Sequence, residues 1–210
     1  MLFAGASRSR YYRSDLGSFW LQVEVARAGR RLRSPGVTEN DHRNLSPRVF
    51  RISIRRDDSY LGYLTTFFNV PGVFGSVPYQ TQHYIGVDCA DVLVAAHRRS
   101  RGQEQMIDLN VAMLADRWRT QARATMKRGV PSRELRFGAE VAPGHAIAVR
   151  YPSSRQLGHV GALYEDANGN GILDAGDTVL HAGPDALHVS KLGEGSFDGE
   201  IVILAPPSGR

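Results

Sequence analysis

The chain has 210 residues, 42% of them hydrophobic and 22% charged, enough apolar surface to bury a full core in one domain or in a domain plus a smaller one. Its one cysteine excludes an internal disulfide, and no apolar run approaches the ~20 residues that cross a bilayer as a helix. The net charge of +5 is unevenly spread, because residues 1–56 hold 12 arginines against 4 acids whereas residues 151–210 hold 3 basic groups against 8 acids.

An arginine-rich first part suits an anionic polymer such as nucleic acid, anionic lipid or an acidic wall polymer, and it equally suits a solvated face. Met1 to Arg13 reads as weakly attached, and its apolar stretch Leu2-Phe3-Ala4 is too brief for a signal peptide. Phe19 to Val25 alternates apolar and polar as a half-buried strand does. Arg27 to Leu45, with Gly29, Pro35 and Gly36, reads as loop. Val49 to Arg55 reads as a second strand. Tyr60 to Val70 is a third extended or mixed segment, closed by Pro71-Gly72. Residues 1–72 are therefore expected to form a small β-rich basic region, followed by a larger unit over 73–210.

In that unit, Asp88 is a good N-cap for a helix running from Cys89 through Ala96. Ile107 to Lys127 carries Leu109, Met113, Leu114, Trp118 and Ala122 at helical spacing and should be a second helix, stopped by Gly129 and Pro131. Five strands are expected after it, over 146–151, 158–165, 178–182, 186–192 and 200–205. Helices followed by a run of antiparallel strands indicate an α+β fold.

The cysteine is the candidate nucleophile. At a helix start, free backbone N–H groups and the positive end of the dipole favour the thiolate, although a lone cysteine is also a common small buried hydrophobe. Attack on an acyl carbon requires a base beside the sulfur and a third group to orient that base. His159 opens its strand directly after a loop, and His181 lies near the end of the next strand, where antiparallel pairing could bring the two rings together.

Pro78-Tyr79, Asp88-Cys89-Ala90, the run 141–149, the run 158–164 (Gly158-His159-Val160-Gly161-Ala162-Leu163-Tyr164) and Leu180-His181-Ala182 resemble, in order, the successive motifs of the NlpC/P60 papain-like cysteine peptidases. The resemblance covers roughly residues 76–205. It implies helices packed on an antiparallel sheet, with Cys89 as nucleophile, His159 as general base and acid, His181 as the residue that orients His159, and Tyr79 lining the oxyanion site. It further implies a peptide or peptidoglycan-like substrate and a periplasmic or secreted location. The chain departs from the family at Gln80-Thr81-Gln82-His83, where a glycine pair is usual, at Ala90, where serine is usual, and at His145, where aspartate is common. An acyltransferase of the same fold, or a calcium-stabilised non-catalytic module that binds an anionic partner, would fit the same residues.

A twelve-residue stretch, Asp166 to Asp177, lies between the two histidine strands. Asp166, Asn168, Asn170, Asp174 and Asp177 occupy positions 1, 3, 5, 9 and 12, Gly171 position 6 and Ile172 position 7, where a backbone carbonyl would serve. That is the spacing by which an EF-hand or dockerin-type loop wraps Ca²⁺. The same residues would also make a polar hairpin tip. A bound ion would be structural, fixing the spacing of His159 and His181.

Overall fold

The computed structural model describes residues 10–36, 39–41 and 44–208. The N-terminal residues 1–9, including the Leu2-Phe3-Ala4 stretch, lie outside the described residues. Strand β1 (Gly17–Leu21) pairs antiparallel with β6 (Phe50–Ile54), and between them lie the hairpin β2 (Glu24–Arg27) with β3 (Arg30–Arg33) and the short pair β4 (Asn40–Asp41) with β5 (Asn44–Leu45). The stretch expected as loop thus contains strands. Its turn residues, Ala28 at φ 50° and Gly29 at φ 75°, close a tight hairpin rather than an open loop. Helix α1 (Tyr60–Thr65) stands where an extended or mixed segment was expected, capped by Ser59, whose hydroxyl accepts the Gly62 N–H at 3.0 Å.

After α2 (Pro78–Gln82), helix α3 (Cys89–Ser100) begins where Asp88 predicts it to, with Asp88 Oδ1 accepting the Ala90 and Asp91 N–H groups at 3.0 and 2.8 Å. Val92, Leu93 and Ala96 are completely buried, and burying a leucine of that kind contributes about 2 kcal/mol. The long second helix is not observed. Helix α4 (Val111–Arg117) covers one part, and Arg119–Lys127 is strand β7. In the strand Ala122, Ala124 and Met126 turn inward while Arg123, Thr125 and Lys127 are exposed, a pattern of period two that pairing with the last strand of the chain imposes.

A seven-stranded antiparallel sheet dominates the molecule, adding β8 (Val130–Pro131), β9 (Ala146–Arg150), β10 (His159–Glu165), β11 (Thr178–His181), β12 (His188–Lys191) and β13 (Gly199–Ala205), in the spatial order β12-β11-β10-β9-β13-β7-β8. The architecture is mixed α and β, with a large curled sheet and few helices, compatible with α+β. Both faces of the sheet's central strands are buried, while β7 keeps Arg123, Thr125 and Lys127 exposed. Ala146, Ala148, Val160, Ala162, Leu180, Val202 and Leu204 pack with α1, α3 and α4. Ile147, Val149, Val179, Ile201 and Ile203 pack on the opposite side with Leu135, Leu173 and Phe197. No helix among the described residues is long and apolar enough to cross a membrane.

Candidate functional site

The N-terminus of α3 is held by a small polar network. Ser76 Oγ accepts the Asp88 N–H at 2.9 Å and donates to Asp91 Oδ2 at 2.6 Å, so one hydroxyl ties the segment before α2 to the start of the cysteine helix. Burial raises the Asp91 carboxyl to about 7, partly offset by the Ser76 hydroxyl. The Cys89 thiol is largely buried, and the backbone N–H of Val160, the second residue of β10, faces it. The sulfur therefore meets the strand one residue beyond His159.

The thiol is not acidified. Burial, and then the Asp88 carboxylate, push it up to about 11, outweighing the N–H groups of Val160 and of the helix start. The expected dipole effect fails because burial of the sulfur outweighs it, and the capping Asp88 adds a negative charge beside the same N–H groups.

His159 and His181 do come together. His159 Nε2 lies 2.9 Å from His181 Nδ1, and His181 Nε2 lies 2.8 Å from Ser190 Oγ. Both rings pack on Phe197, with centroids 5.2 and 5.4 Å away. His188, directly opposite His181 in the β11–β12 ladder, packs against it with rings tilted by 55° at 4.3 Å and in turn stacks on the Tyr11 ring at 3.9 Å. Burial first, then the neighbouring histidines, lowers His159 to about 4 and His181 to about 3. Cys89 packs on the helix side of the sheet and the histidine pair on the Phe197 side, so they reach the beginning of β10 from its two faces. Among the described hydrogen bonds none joins Cys89 directly to His159.

The close approach of β10 and β11 depends on Gly161. A Cβ there would come within 2.7 Å of the Val179 side chain and 2.9 Å of the Leu180 carbonyl oxygen. Tyr79 lies on α2, half exposed, its ring against His83 at 4.5 Å. It forms no described hydrogen bond with Cys89, His159 or His181. Ser76, Gly161, His188 and Ser190 were not singled out from sequence. The last two could have been, as the alternate polar positions of an otherwise apolar strand.

The loop from Asp166 to Asp177 is organised by its own side chains. Asp166 Oδ2 accepts the Gly171 N–H at 2.8 Å, Asn168 Oδ1 that of Asn170 at 3.1 Å, Asn170 Oδ1 that of Ile172 at 2.7 Å and Asp174 Oδ1 that of Gly176 at 2.7 Å. Asp177 is completely buried and closes the loop, accepting the Ala167 and Asp174 N–H groups at 3.1 and 2.8 Å. Its carboxyl is raised, by burial first and also by the charges of Asp174 and Asp166. Gly171 sits at φ 76°, a left-handed turn that suits glycine. Asp166 Oδ1 is buried without a hydrogen-bond partner. Asp174 Oδ2 receives the amide groups of Asn168 and Asn170 at 2.9 and 2.6 Å. Among the described residues, no three His, Cys, Asp or Glu side chains already converge on one ion position.

Comparison with known proteins returns no matching family model, no matching curated protein and no matching solved structure.

Proposed function

We propose that the chain is a thiol hydrolase that cleaves an amide bond in a cell-wall peptide, on a papain-like framework of NlpC/P60 type. The observation that carries this reading is the meeting at the start of β10: a lone cysteine opening a helix faces the N–H of Val160, and the adjacent residue is a histidine whose Nε2 is held by a second histidine. That bond commits Nε2 of His159, so Nδ1 is the ring nitrogen that would have to turn toward the thiol at the start of the strand.

With the thiol raised and the imidazole lowered, the resting pair is neutral at pH 7, and the proton moves only as the sulfur attacks. Sγ bonds to the amide carbon while its proton passes to His159. The oxygen takes the negative charge, with the Cys89 N–H at the first turn of the helix and the Tyr79 hydroxyl as its donors. The carbon–nitrogen bond then breaks and His159 returns the proton to the leaving amine. Water, deprotonated by His159, cleaves the thioester, and the thiolate leaves and is reprotonated.

Calcium is the ion that the Asp166–Asp177 loop would take, through the side chains of Asp166, Asn168, Asn170, Asp174 and Asp177 and the Ile172 carbonyl. The buried, unpartnered Asp166 Oδ1 and the buried Asp177 fit a cation, whose charge would offset theirs. The Asn168 and Asn170 amides would reverse so that oxygen rather than nitrogen faces Asp174. The loop joins β10 to β11, so an ion there would brace the hairpin that carries both histidines.

Digestion of purified muropeptides, read by mass spectrometry, tests the hydrolase. Wild type should release fragments that Cys89→Ala does not, with ¹⁸O from labelled water in the new carboxylate. Cleavage that survives Cys89→Ala, or none by wild type in the presence of calcium, would remove the reading. Transfer to an added amine without ¹⁸O uptake would make it an acyltransferase.

A further inference from the structure

The β1–β6 ribbon is amphipathic across its thickness. Its inner face carries Ser18, whose N–H and hydroxyl bond the Phe68 and Thr66 carbonyls at 2.9 and 2.8 Å, and Trp20, buried with Val49 and Ile85. The alternate residues form the outer face. Phe19 pairs with Ile52 and Leu21 with Phe50, and Ile54 completes the row. Phe50 is 61% exposed, Ile52 45% and Ile54 44%, while Phe19 and Leu21 are half-buried and the Tyr12 ring lies edge-on to Phe19 at 6.4 Å. Scattered apolar residues on a surface need no explanation, but a row of three exposed large side chains continued by two half-buried ones marks an interaction site.

The β2–β3 hairpin, two residues after β1, repeats the design. Val25 pairs with Leu32 and Arg27 with Arg30, which puts all four on one face, with Val25 58% and Leu32 75% exposed. Arg31 and Arg33 are engaged with Glu24, whereas Arg27 and Arg30 form no ion pair with a described residue. Apolar side chains at the base and guanidinium groups at the tip match a bilayer boundary, where alkyl groups enter the acyl region and cations sit among phosphates.

We infer that the outer faces of the β1–β6 ribbon and the β2–β3 hairpin form a docking surface for an anionic phospholipid bilayer. Charge selects this occupant. Arg27 and Arg30, exposed and outside the described ion pairs, put unbalanced positive charge at the hairpin tip, so a second copy of the same face would meet like charge, while an anionic leaflet supplies the opposite sign. A nucleic acid would satisfy the arginines but leave the Phe19, Leu21, Phe50, Ile52 and Ile54 face uncovered.

Co-sedimentation of the full chain with vesicles tests this. Vesicles with 30 mol% phosphatidylglycerol should bind at least tenfold more tightly than pure phosphatidylcholine. The double variant Phe50→Ser/Ile52→Ser should lose at least tenfold on the anionic vesicles. Arg27→Gln/Arg30→Gln should weaken binding several-fold and flatten its salt dependence. All the replaced side chains are solvent-facing, so the melting curves should stay those of wild type. Hydrogen exchange should show vesicle-dependent protection within residues 17–54. Equal binding to neutral and anionic vesicles, undiminished binding by Phe50→Ser/Ile52→Ser, or a solution dimer that this variant splits would each overturn the inference, as would tighter binding to an oligonucleotide than to the anionic vesicles.

Discussion

Nε2 of His159 is 2.9 Å from Nδ1 of His181, and the proton between them is controlled from one strand further away, where Ser190 Oγ lies 2.8 Å from His181 Nε2. For Nδ1 of His159 to accept a proton, His159 Nε2–H must donate to His181, whose own Nε2–H must then donate to Ser190. Ser190→Ala removes that acceptor. Losing a hydrogen bond of ~1.4 kcal/mol corresponds to about tenfold in rate, so the variant should hydrolyse substrate roughly tenfold more slowly with KM unchanged. Nitrogen-15 shifts of the two imidazoles should report mixed tautomers.

The same histidines make the fold sensitive to acid. In the folded chain they titrate near pH 4 and 3, below the ~6.5 of a free imidazole. The unfolded chain therefore binds more protons as pH falls from 6.5 toward 3, and stability is lost across that window. Asp91, raised to about 7, acts in the opposite sense, because its folded form holds a proton that the unfolded chain releases. Asp91→Asn should melt higher than wild type at pH 7.5 and lose stability more steeply in acid. Thermal denaturation from pH 8 to 4 reads both.

Asp88 both caps α3 and holds the Cys89 thiol up. Asp88→Asn preserves the cap geometry and removes the charge. The thiol should fall toward its ordinary range, and iodoacetamide should label Cys89 several-fold faster at pH 8 than in wild type. His159→Ala, which removes the proton acceptor, should slow labelling. Rates by intact-mass spectrometry decide both.

Gly161→Ala places a methyl group where Val179 and the Leu180 carbonyl already stand. Overpacking of this kind costs about 1–3 kcal/mol, and here it also spreads the strands that present His159 and His181. The variant should melt several degrees lower, and the His159–His181 coupling should weaken. Imidazole titration by NMR would show both histidines moving back toward free values.

Calcium should raise the melting temperature. A ligand at 100 times its dissociation constant contributes about 2.7 kcal/mol, and EDTA should reverse the gain. Asp166→Ala should abolish it, whereas the wild-type loop should release measurable heat on titration with Ca²⁺. Absence of both heat and a shift would leave the loop a polar turn.

Local signals were legible where one physical pattern dominated. The Asp88 cap, the strands after residue 146 and the adjacency of the strands that carry His159 and His181 all follow from short-range patterns. Arg119 to Lys127 misled because Leu109, Met113, Leu114, Trp118 and Ala122 fit a helical period across what is in fact a junction, and only pairing with β13 decides for strand. Tyr60 to Thr65 gains its helix from Ser59 and from packing on α3, a contact distant in sequence. The Cys89 thiol differs from expectation for another reason: its burial, the larger effect, is a tertiary quantity that a helix start does not carry, whereas the Asp88 charge beside it was legible in the sequence.

A thiol held near pKa 11 has a consequence for survival in oxidising surroundings. At pH 7 only on the order of one molecule in ten thousand would present the sulfur anion that peroxide attacks. With no second cysteine to trap a sulfenic acid as a disulfide, protection rests on that scarcity, and the thiol should withstand peroxide near neutral pH.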